Sequence, residues 1–208
     1  MARSRSSKDW LDEHFADAYV KQSKIDGYRC RAAYKLIELN NKYNLITKGM
    51  TIVDLGSAPG SWSQVASNIV SDKGNVFALD ILEMDPIVNV DFIRGDFTED
   101  EPYQELLSKV ENKKIDWVIS DMAPNISGNK TTDQIRSLYL VEIAVDFAEQ
   151  TLTEGGSFLS KVFQGKGFDQ LILKLRLNYK SVVIKKPDSS RARSSEVYII
   201  ARDKIITA

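Results

Sequence analysis

The sequence predicts an α/β fold: a mostly parallel sheet of seven strands, one of them antiparallel, with helices on both faces. Three observations lead to this prediction. Short apolar runs alternate along the chain with amphipathic helical patterns, which is typical of βαβ units. The last two predicted strands are separated only by the polar loop 187–195, and so short a link favours an antiparallel pair. No repeat or Pro/Gly-rich linker divides the 208 residues, so we expect one domain, 1–208.

Each predicted strand is a short apolar run, and the helices lie between such runs. The strands are expected at 51–55, 75–79, 90–93, 116–120, 157–163, 181–185 and 196–201. Helices are expected at 62–70 and 169–177, and a third, between the fourth and fifth strands, has its apolar residues over 138–152. In that third helix, the apolar residues recur at alternating steps of three and four, which forms one buried stripe. We expect Asp133 to cap its start and Gly155 and Gly156 to end it.

Charge is distributed unevenly along the chain. Residues 1–48 carry ten basic and six acidic side chains, 49–156 carry seven and nineteen, and 157–208 carry eleven and four. We therefore divide the domain into a basic N-terminal helical segment, 1–48, expected to lie against the C-terminal edge of the sheet, and a Rossmann-like core, 49–208. If the two basic ends meet on one face, that face suits a polyanion such as a nucleic acid.

Composition excludes several kinds of chemistry and of protein. One cysteine, Cys30, and one histidine, His14, cannot form an internal disulfide or a Cys/His zinc site, and they do not support a Ser-His-Asp hydrolase. No apolar run approaches the roughly 18 residues that a membrane span requires, and the first residues lack the apolar region of a signal peptide. We expect no metal, no membrane association and a cytoplasmic location.

A glycine-containing loop follows the first predicted strand. Gly56 and Gly60 would let the backbone approach a ligand at the start of the next helix. The fingerprint G-x-G-x-x-G is absent, which disfavours an NAD-dependent oxidoreductase. Asp80, after the second strand, is placed to bind ribose hydroxyls, and Asp96, after the third, to bind an adenine amino group with Phe97 beside the ring. This layout resembles the S-adenosylmethionine-dependent methyltransferase fold, in which the glycine loop takes the methionine end.

The residues after the fourth predicted strand point to oxygen as the methyl acceptor. The strand ends in Asp121-Met-Ala-Pro, whereas enzymes that methylate base amino groups typically carry an Asn/Asp-Pro-Pro-aromatic sequence there. Methylation of a pyrimidine carbon needs a nucleophilic cysteine, and Cys30 is far from any motif loop. Lys161 on the fifth strand, Glu196 on the last strand and Lys35 on the N-terminal helix complete a polar set with Asp121.

At this point the resemblance to a family becomes specific. The set Lys35, Asp121, Lys161 and Glu196 resembles the catalytic set of the FtsJ/RrmJ-type ribosomal RNA 2′-O-methyltransferases. The segments Asp-Leu-Gly-Ser-Ala-Pro-Gly-Ser-Trp-Ser-Gln and Ser-Asp-Met-Ala-Pro-Asn resemble motifs of the same family. The resemblance covers nearly the whole chain, from about residue 7 to residue 203.

The resemblance implies roles for these residues. A ribose 2′-hydroxyl is a weak nucleophile, so it must lose its proton and be aimed at the methyl group of S-adenosylmethionine. After transfer of that methyl group, the rest of the donor leaves as S-adenosylhomocysteine. A lysine with its usual pKa of about 10.4 is a poor base, but burial and a neighbouring cation can lower that pKa. The family assigns Lys161 as the proton acceptor; we expect Lys35 to position the substrate, and Asp121 and Glu196 to orient the two amines. The predicted cofactor-binding residues are Gly56, Gly60, Trp62, Asp80, Asp96 and Asp121.

The implied substrate is a uridine in 23S ribosomal RNA within the assembled large (50S) ribosomal subunit, methylated by a monomeric enzyme. Basic residues around the site are expected to bind RNA phosphates, which would make binding salt-dependent. They are Arg29, Arg31, Lys185, Arg191 and Arg193. Two alternatives remain open: an anticodon-loop ribose methyltransferase of transfer RNA, which would share the catalytic set, and a ribosome-assembly factor for which RNA binding matters more than methylation.

Overall fold

The computed structural model describes residues 17–125, 127–191 and 194–205, which form one seven-stranded sheet with helices on both faces. The strands are β1 (Thr51–Leu55), β2 (Asn75–Asp80), β3 (Val90–Arg94), β4 (Ile115–Ser120), β5 (Leu152–Phe163), β6 (Tyr179–Lys185) and β7 (Glu196–Lys204). The helices are α1 (Ala18–Ile25), α2 (Ala33–Tyr43), α3 (Ser61–Val70), α4 (Asp100–Val110), α5 (Lys130–Thr151) and α6 (Phe168–Asn178), and a short 3₁₀ turn (Ser71–Lys73) follows α3. Over the described residues, none of these helices is long and apolar enough to cross a membrane.

The strand order is β3-β2-β1-β4-β5-β7-β6. Strands β1 to β5 pair in parallel, and β7 runs antiparallel between β5 and β6. The predicted topology, mostly parallel with one reversed strand, is confirmed. Strands β2 and β3 lie on one side of β1, and β4 to β7 lie on the other. The strand order thus reverses between β1 and β4, and the crevice at the carboxyl ends of two such strands is where open α/β sheets bind ligands.

Both faces of the sheet are buried under helices. Alternate residues of β1 show this arrangement, because Val53 packs in the core beneath α4, α5 and α6, whereas Ile52 packs in the core beneath α2 and α3. A strand that is covered on both sides has apolar residues in succession, which explains the continuous apolar runs of the sequence.

The N-terminal segment differs from the prediction. Helix α2 does not lie along the C-terminal edge of the sheet; it packs on one face, with Ala33, Leu36 and Leu39 fully or almost fully buried. These three residues recur every third position and therefore form one apolar side of the helix. The first turn of α2, which carries Lys35, still reaches the C-terminal edge, where Lys35 contacts Glu196. Residues 1–16 lie outside the described residues.

The two ends of α5 also differ from the prediction. The helix begins at Lys130, because the side chain of Asn129 accepts hydrogen bonds from two backbone N–H groups in its first turn. Asp133 instead binds the preceding loop, where it accepts hydrogen bonds from the backbone and hydroxyl of Ser127. The helix ends at Thr151, directly before β5. Gly155, predicted to end the helix, lies inside β5, where the register with β4 is irregular.

Candidate active site

Four polar side chains meet at the carboxyl ends of β4 and β5. In the antiparallel register Tyr198 lies opposite Lys161, so both side chains point to the same face of the sheet. Glu196 precedes Tyr198 by two residues on β7 and therefore shares that face. Helix α2 covers the same face and supplies Lys35, while Asp121 is the first residue after β4. Neighbouring strands and one helix thus place the predicted catalytic side chains within a single site.

The four charged residues form two ion pairs. Nζ of Lys161 lies 3.0 Å from Oδ1 of Asp121 and also donates to the main-chain carbonyl of Asp121. Nζ of Lys35 lies 2.8 Å from Oε1 of Glu196. All four side chains are between 8% and 17% exposed, so each charge is largely removed from water and has a partner of opposite sign.

Tyr198 joins the two ion pairs. Its hydroxyl donates a hydrogen bond of 2.8 Å to Oδ1 of Asp121, and Nζ of Lys35 lies 5.4 Å from the centroid of its ring. The ring itself is fully buried and packs against Trp62. Burial, reinforced by the charges of Asp121 and Glu196, raises the pKa of Tyr198 well above its usual value, so the phenol remains a hydrogen-bond donor.

Asp121 is held in its ionised form. Burial by itself would raise the pKa of this carboxyl group, but the positive charges of Lys161 and Lys35 and the hydrogen bonds from Lys161 and Tyr198 outweigh it. The pKa of Asp121 is therefore lowered from its usual value, and the site retains a fixed negative charge.

The glycine loop lies next to this network. Gly56 has a φ of +76°, and a Cβ atom on it would lie 2.9 Å from Cα of Met122, the residue after Asp121. Gly60 has a φ of +105°, and a Cβ there would lie 2.6 Å from the guanidinium of Arg29. Both positions thus require glycine for their backbone conformation and for the close approach of a neighbour.

Two buried polar atoms near this loop have no hydrogen-bond partner. They are Oδ1 of Asp54, at the penultimate position of β1, and Oγ of Ser57, in the loop itself. The other carboxylate oxygen of Asp54 accepts a hydrogen bond of 2.6 Å from the hydroxyl of Ser63. Because it is buried, the pKa of Asp54 is raised to about 7, despite that hydrogen bond. A bound ligand, ion or water is one explanation for an orphaned buried polar atom, and here two such atoms lie together beside the loop.

The two predicted cofactor-binding acids follow β2 and β3. Asp80 accepts hydrogen bonds from the backbone N–H groups of Ala58 (2.9 Å) and Leu82 (2.7 Å), which ties the glycine loop to the end of β2. Asp96 accepts from both the backbone and the hydroxyl of Thr98, so only Oδ1 is engaged. Each carboxylate retains lone pairs for hydroxyl or amino donors of a ligand.

Two aromatic residues of the predicted donor site have buried side chains. Phe97 is 4% exposed and packs edge-on against Phe147, so its ring is part of the core. Trp62 is 2% exposed, and its indole N–H donates to the carbonyl of Ala32. The side chain of Trp62 therefore joins α3 to the residue before α2, and only its backbone N–H, in the first turn of α3, is left to meet a ligand.

The predicted RNA-binding arginines are already engaged within the protein. The guanidinium of Arg29 donates to the backbone carbonyls of Pro59, Asp85 and Pro86, and not outward as expected. Arg31 pairs with Asp17 and donates to the carbonyl of Ser189. Both side chains therefore hold segments of the chain together, a role that depends on contacts between residues far apart in sequence.

Two of the other predicted RNA-binding residues, Arg191 and Lys185, lie closer to the surface. Nε of Arg191 is 3.7 Å from Oδ2 of Asp17, the carboxylate that also binds Arg31. Nζ of Lys185, at the end of β6, lies 5.8 Å from the ring centroid of Tyr43. Arg193 lies outside the described residues. Arg191 and Lys185 thus keep part of their donor capacity for an external anion.

Sequence reasoning missed three residues of the site: Tyr198, Asp54 and Ser57. A signal existed for Tyr198, since it follows Glu196 by two positions on one strand and so shares its face. Asp54 was also detectable as an ionisable residue within an otherwise apolar strand. Over the described residues, no group of three or more His, Cys, Asp and Glu side chains is arranged to hold a metal ion.

Comparison with known proteins gives a consistent result. A family model described as FtsJ-like methyltransferase matches residues 28–204. Proteins described as Ribosomal RNA large subunit methyltransferase E are 56% identical in Marinobacter nauticus, over 97% of this chain and 98% of the relative, and 54% identical in Hahella chejuensis, over the same shares. A crystal structure described as a ribosomal RNA methyltransferase from Plasmodium falciparum matches with a TM-score of 0.75 and 35% identity, over 85% of this chain and 98% of that one.

Proposed function

The chain belongs to the FtsJ-like methyltransferase family, and on that premise we propose that it methylates the ribose 2′-hydroxyl of a uridine in 23S ribosomal RNA, within the large (50S) ribosomal subunit. Membership of this family implies S-adenosylmethionine as the methyl donor. The names of its curated relatives refer to large-subunit ribosomal RNA, which favours that substrate over transfer RNA. The choice of a hydroxyl acceptor is supported by the paired lysines and carboxylates of the site.

The residues around the glycine loop fit such a donor. Gly56 and Gly60 give the loop its positive-φ backbone conformation, and the orphaned oxygen of Asp54 and hydroxyl of Ser57 offer partners for the polar groups of a ligand. Asp80 and Asp96 would hold the ribose and the adenine, respectively, through their free lone pairs. The backbone N–H groups at the start of α3 would add further donors.

Lys161 is the residue that we assign as proton acceptor. A bound S-adenosylmethionine supplies an electrophilic methyl group, so that the ribose oxygen gains a bond to carbon and S-adenosylhomocysteine is released. Asp121 engages two of the hydrogen-bonding positions of Nζ of Lys161, through its carboxylate and its main-chain carbonyl. Once Lys161 has released a proton to solvent, its neutral amine keeps two N–H groups for Asp121 and one lone pair, which would take the proton of the 2′-hydroxyl.

Lys35 and Glu196 would position the substrate on the other side of Tyr198. Their ion pair leaves Lys35 with further N–H donors and Glu196 with one carboxylate oxygen, and both types of group bind ribose hydroxyls well. Holding the hydroxyl in line with the methyl group contributes to rate through orientation, and the general base contributes roughly 10²–10⁴-fold.

The assembly of Lys35, Asp121, Lys161 and Glu196 into two buried ion pairs beside the glycine loop is the observation that carries this proposal. Residues from α2, β5, β7 and the end of β4 contribute to it, so we also propose that 1–208 acts as a single domain. We further propose that it acts as a monomer in the cytoplasm, where a 50S particle is available as substrate.

The proposal is tested by methyl transfer from labelled S-adenosylmethionine to 50S subunits and to transfer RNA, both isolated from a strain that lacks this protein. We expect label on one ribose of 23S RNA, located by resistance of the adjacent bond to alkaline cleavage. Lys161→Ala should reduce turnover by at least about 10²-fold while binding of S-adenosylhomocysteine is retained. Lys180→Ala, which removes an exposed lysine at the opposite end of the sheet, is the matched control.

Label on transfer RNA alone would retain the chemistry and overturn the substrate. Absence of label on both RNAs, with the cofactor still bound, would favour the assembly factor. Growth of the deletion strain separates the same alternatives, because Lys161→Ala would rescue it only if binding, and not methylation, is the important activity.

A further inference from the structure

We infer that Arg29 is a positioning residue for the methyl-donor site, which holds together the two loops that form its walls. The first wall is the glycine loop between β1 and α3, and the second is the loop that follows β2. This inference rests on the proposed function, since it concerns the same donor site. It assigns Arg29 a role different from the RNA contact that its charge and sequence position predict.

The guanidinium of Arg29 makes three hydrogen bonds to main-chain carbonyls. Its Nη1 donates to Pro59 at 2.8 Å and to Asp85 at 2.7 Å, and its Nη2 donates to Pro86 at 3.0 Å. Pro59 belongs to the glycine loop, whereas Asp85 and Pro86 belong to the loop after β2. One planar group thus bridges the two loops on their outer side, in addition to Asp80, which accepts from Ala58 in the first loop and Leu82 in the second.

The position of these two loops explains why the bridge matters. Gly56 and Gly60 flank Pro59, and Asp80 ends the strand from which the second loop departs. A donor molecule that contacts both Gly60 and Asp80 is bound well only if the two loops stay at a constant separation. Such preorganisation improves affinity because the protein need not order the loops on binding.

The glycine at position 60 makes the bridge sterically possible. A Cβ atom on Gly60 would lie 2.6 Å from Nη1 of Arg29 and 2.8 Å from Sδ of Met84. The guanidinium therefore packs directly on the loop backbone, in the space that a side chain would otherwise occupy. The requirement for glycine at this position comes in part from Arg29.

Arg29 is itself fixed to the helix that follows the glycine loop. Its backbone N–H donates to Oε1 of Gln64, whose Nε2 donates back to the carbonyl of Gly27 at 2.9 Å. The next backbone N–H, that of Cys30, donates to the hydroxyl of Ser61 at 2.9 Å. Residues 27–30 are thus attached to the first turn of α3, and the Arg29 side chain extends from that attachment to the second loop.

These contacts predict that loss of Arg29 weakens donor binding and leaves RNA binding unchanged. The experiment measures binding of S-adenosylhomocysteine to the free full-length protein by calorimetry, for the wild type, Arg29→Ala and Arg29→Lys. Arg176→Ala, which removes an exposed arginine of α6, is the matched control. We expect Arg29→Ala to raise the Kd about tenfold, because the two loops must then be ordered when the ligand binds, and Arg176→Ala to leave it unchanged.

Arg29→Lys separates positioning from a general effect on folding. A lysine keeps the charge and can reach one carbonyl, but its single nitrogen does not bridge two loops as a planar guanidinium does. We expect Arg29→Lys to melt close to the wild type while its Kd for S-adenosylhomocysteine remains raised several-fold. In steady-state assays the KM for S-adenosylmethionine should rise in both variants, with the KM for 50S subunits unchanged.

Two results would overturn the inference. One is wild-type affinity for S-adenosylhomocysteine in Arg29→Ala, combined with weaker RNA binding and a smaller salt dependence, which would identify Arg29 as a phosphate contact. The other is full recovery of both melting temperature and donor affinity in Arg29→Lys, which would reduce Arg29 to a structural charge. A wild-type protein that fails to bind S-adenosylhomocysteine would instead overturn the proposed function, and this inference with it.

Discussion

The hydroxyl of Tyr198 donates its hydrogen bond to Oδ1 of Asp121, the same carboxylate oxygen that lies 3.0 Å from Nζ of Lys161. The tyrosine and the lysine are also direct neighbours across β5 and β7. Asp121 is therefore the centre of the site: it orients Lys161 and is itself oriented by Tyr198. The charges of Lys161 and Lys35 keep it ionised, and the hydrogen bonds from Lys161 and Tyr198 add to their effect. Tyr198, which is not in the predicted catalytic set, thus helps to orient the carboxylate at the centre of that set.

Tyr198→Phe is expected to reduce kcat by about tenfold, because a hydrogen bond to a charged group is lost while the ring remains in place. That hydrogen bond lowers the pKa of Asp121, so its removal should shift the acid limb of the kcat–pH profile to higher pH. Tyr179→Phe is the matched control, since the buried Tyr179 hydroxyl has no partner in the structure. A Tyr198→Phe enzyme with an unshifted profile would contradict the role assigned to this hydroxyl.

Asp54→Asn is expected to change how stability depends on pH. The pKa of Asp54 is raised to about 7 in the folded protein, so between about pH 4 and pH 7 the folded state binds a proton that the unfolded state has released. Rising pH in that window therefore lowers the free energy of unfolding of the wild type, by up to about 1.4 kcal/mol per pH unit. The Asp54→Asn variant has no carboxyl group at this position and lacks that contribution.

The measurement for Asp54 is urea unfolding of both proteins across that pH range, with the exposed Asp72→Asn as control. The difference in free energy of unfolding between Asp54→Asn and the wild type should move in favour of the variant as pH rises. A difference that stays constant from pH 4 to pH 7 would show that Asp54 titrates normally.

Arg31→Ala is expected to lower the free energy of unfolding by about 1–3 kcal/mol, since it leaves Asp17 without its main partner and the Ser189 carbonyl without a donor. Asp17→Asn should be non-additive with it in a double-mutant cycle, because the two side chains are in direct contact. Stability measured by urea unfolding tests this. If Arg31→Ala retained full stability but reduced the salt slope of RNA binding by about one, Arg31 would be a phosphate ligand as first expected.

Glu38→Gln is expected to loosen the loop that precedes Glu196. The Glu38 carboxylate accepts hydrogen bonds from the backbone of Asp188 (2.8 Å) and from the backbone and hydroxyl of Ser189 (both 3.1 Å). An amide has only one accepting oxygen, so at least one of these contacts is lost. Hydrogen exchange at 188–190 should become faster and turnover should fall a few-fold, with unchanged affinity for S-adenosylhomocysteine.

Glu154→Gln is the control for that variant, because Glu154 is exposed at the opposite edge of the sheet. Unchanged exchange at 188–190 in Glu38→Gln would mean that contacts other than Glu38 hold the loop.

The sheet and the approximate place of the charged set could be predicted from the amino-acid sequence. Strand and helix periodicities are local, so the seven strands and their mostly parallel order were predictable from runs such as Thr51–Leu55. Parallel strands end at one edge, and this rule alone places Asp121 and Lys161 near each other. The resemblance of these motifs to a known family pointed to the same residues.

The contacts of individual side chains became visible only in the folded structure. Arg29 reaches carbonyls 30 and 57 residues away, Trp62 donates to a residue 30 positions earlier, and Phe97 turns into the core. No local pattern encodes these partners, because a side chain's hydrogen bonds and burial depend on which distant segments pack around it. For the same reason, two arginines whose charge suggested RNA binding are engaged in holding the protein's own loops.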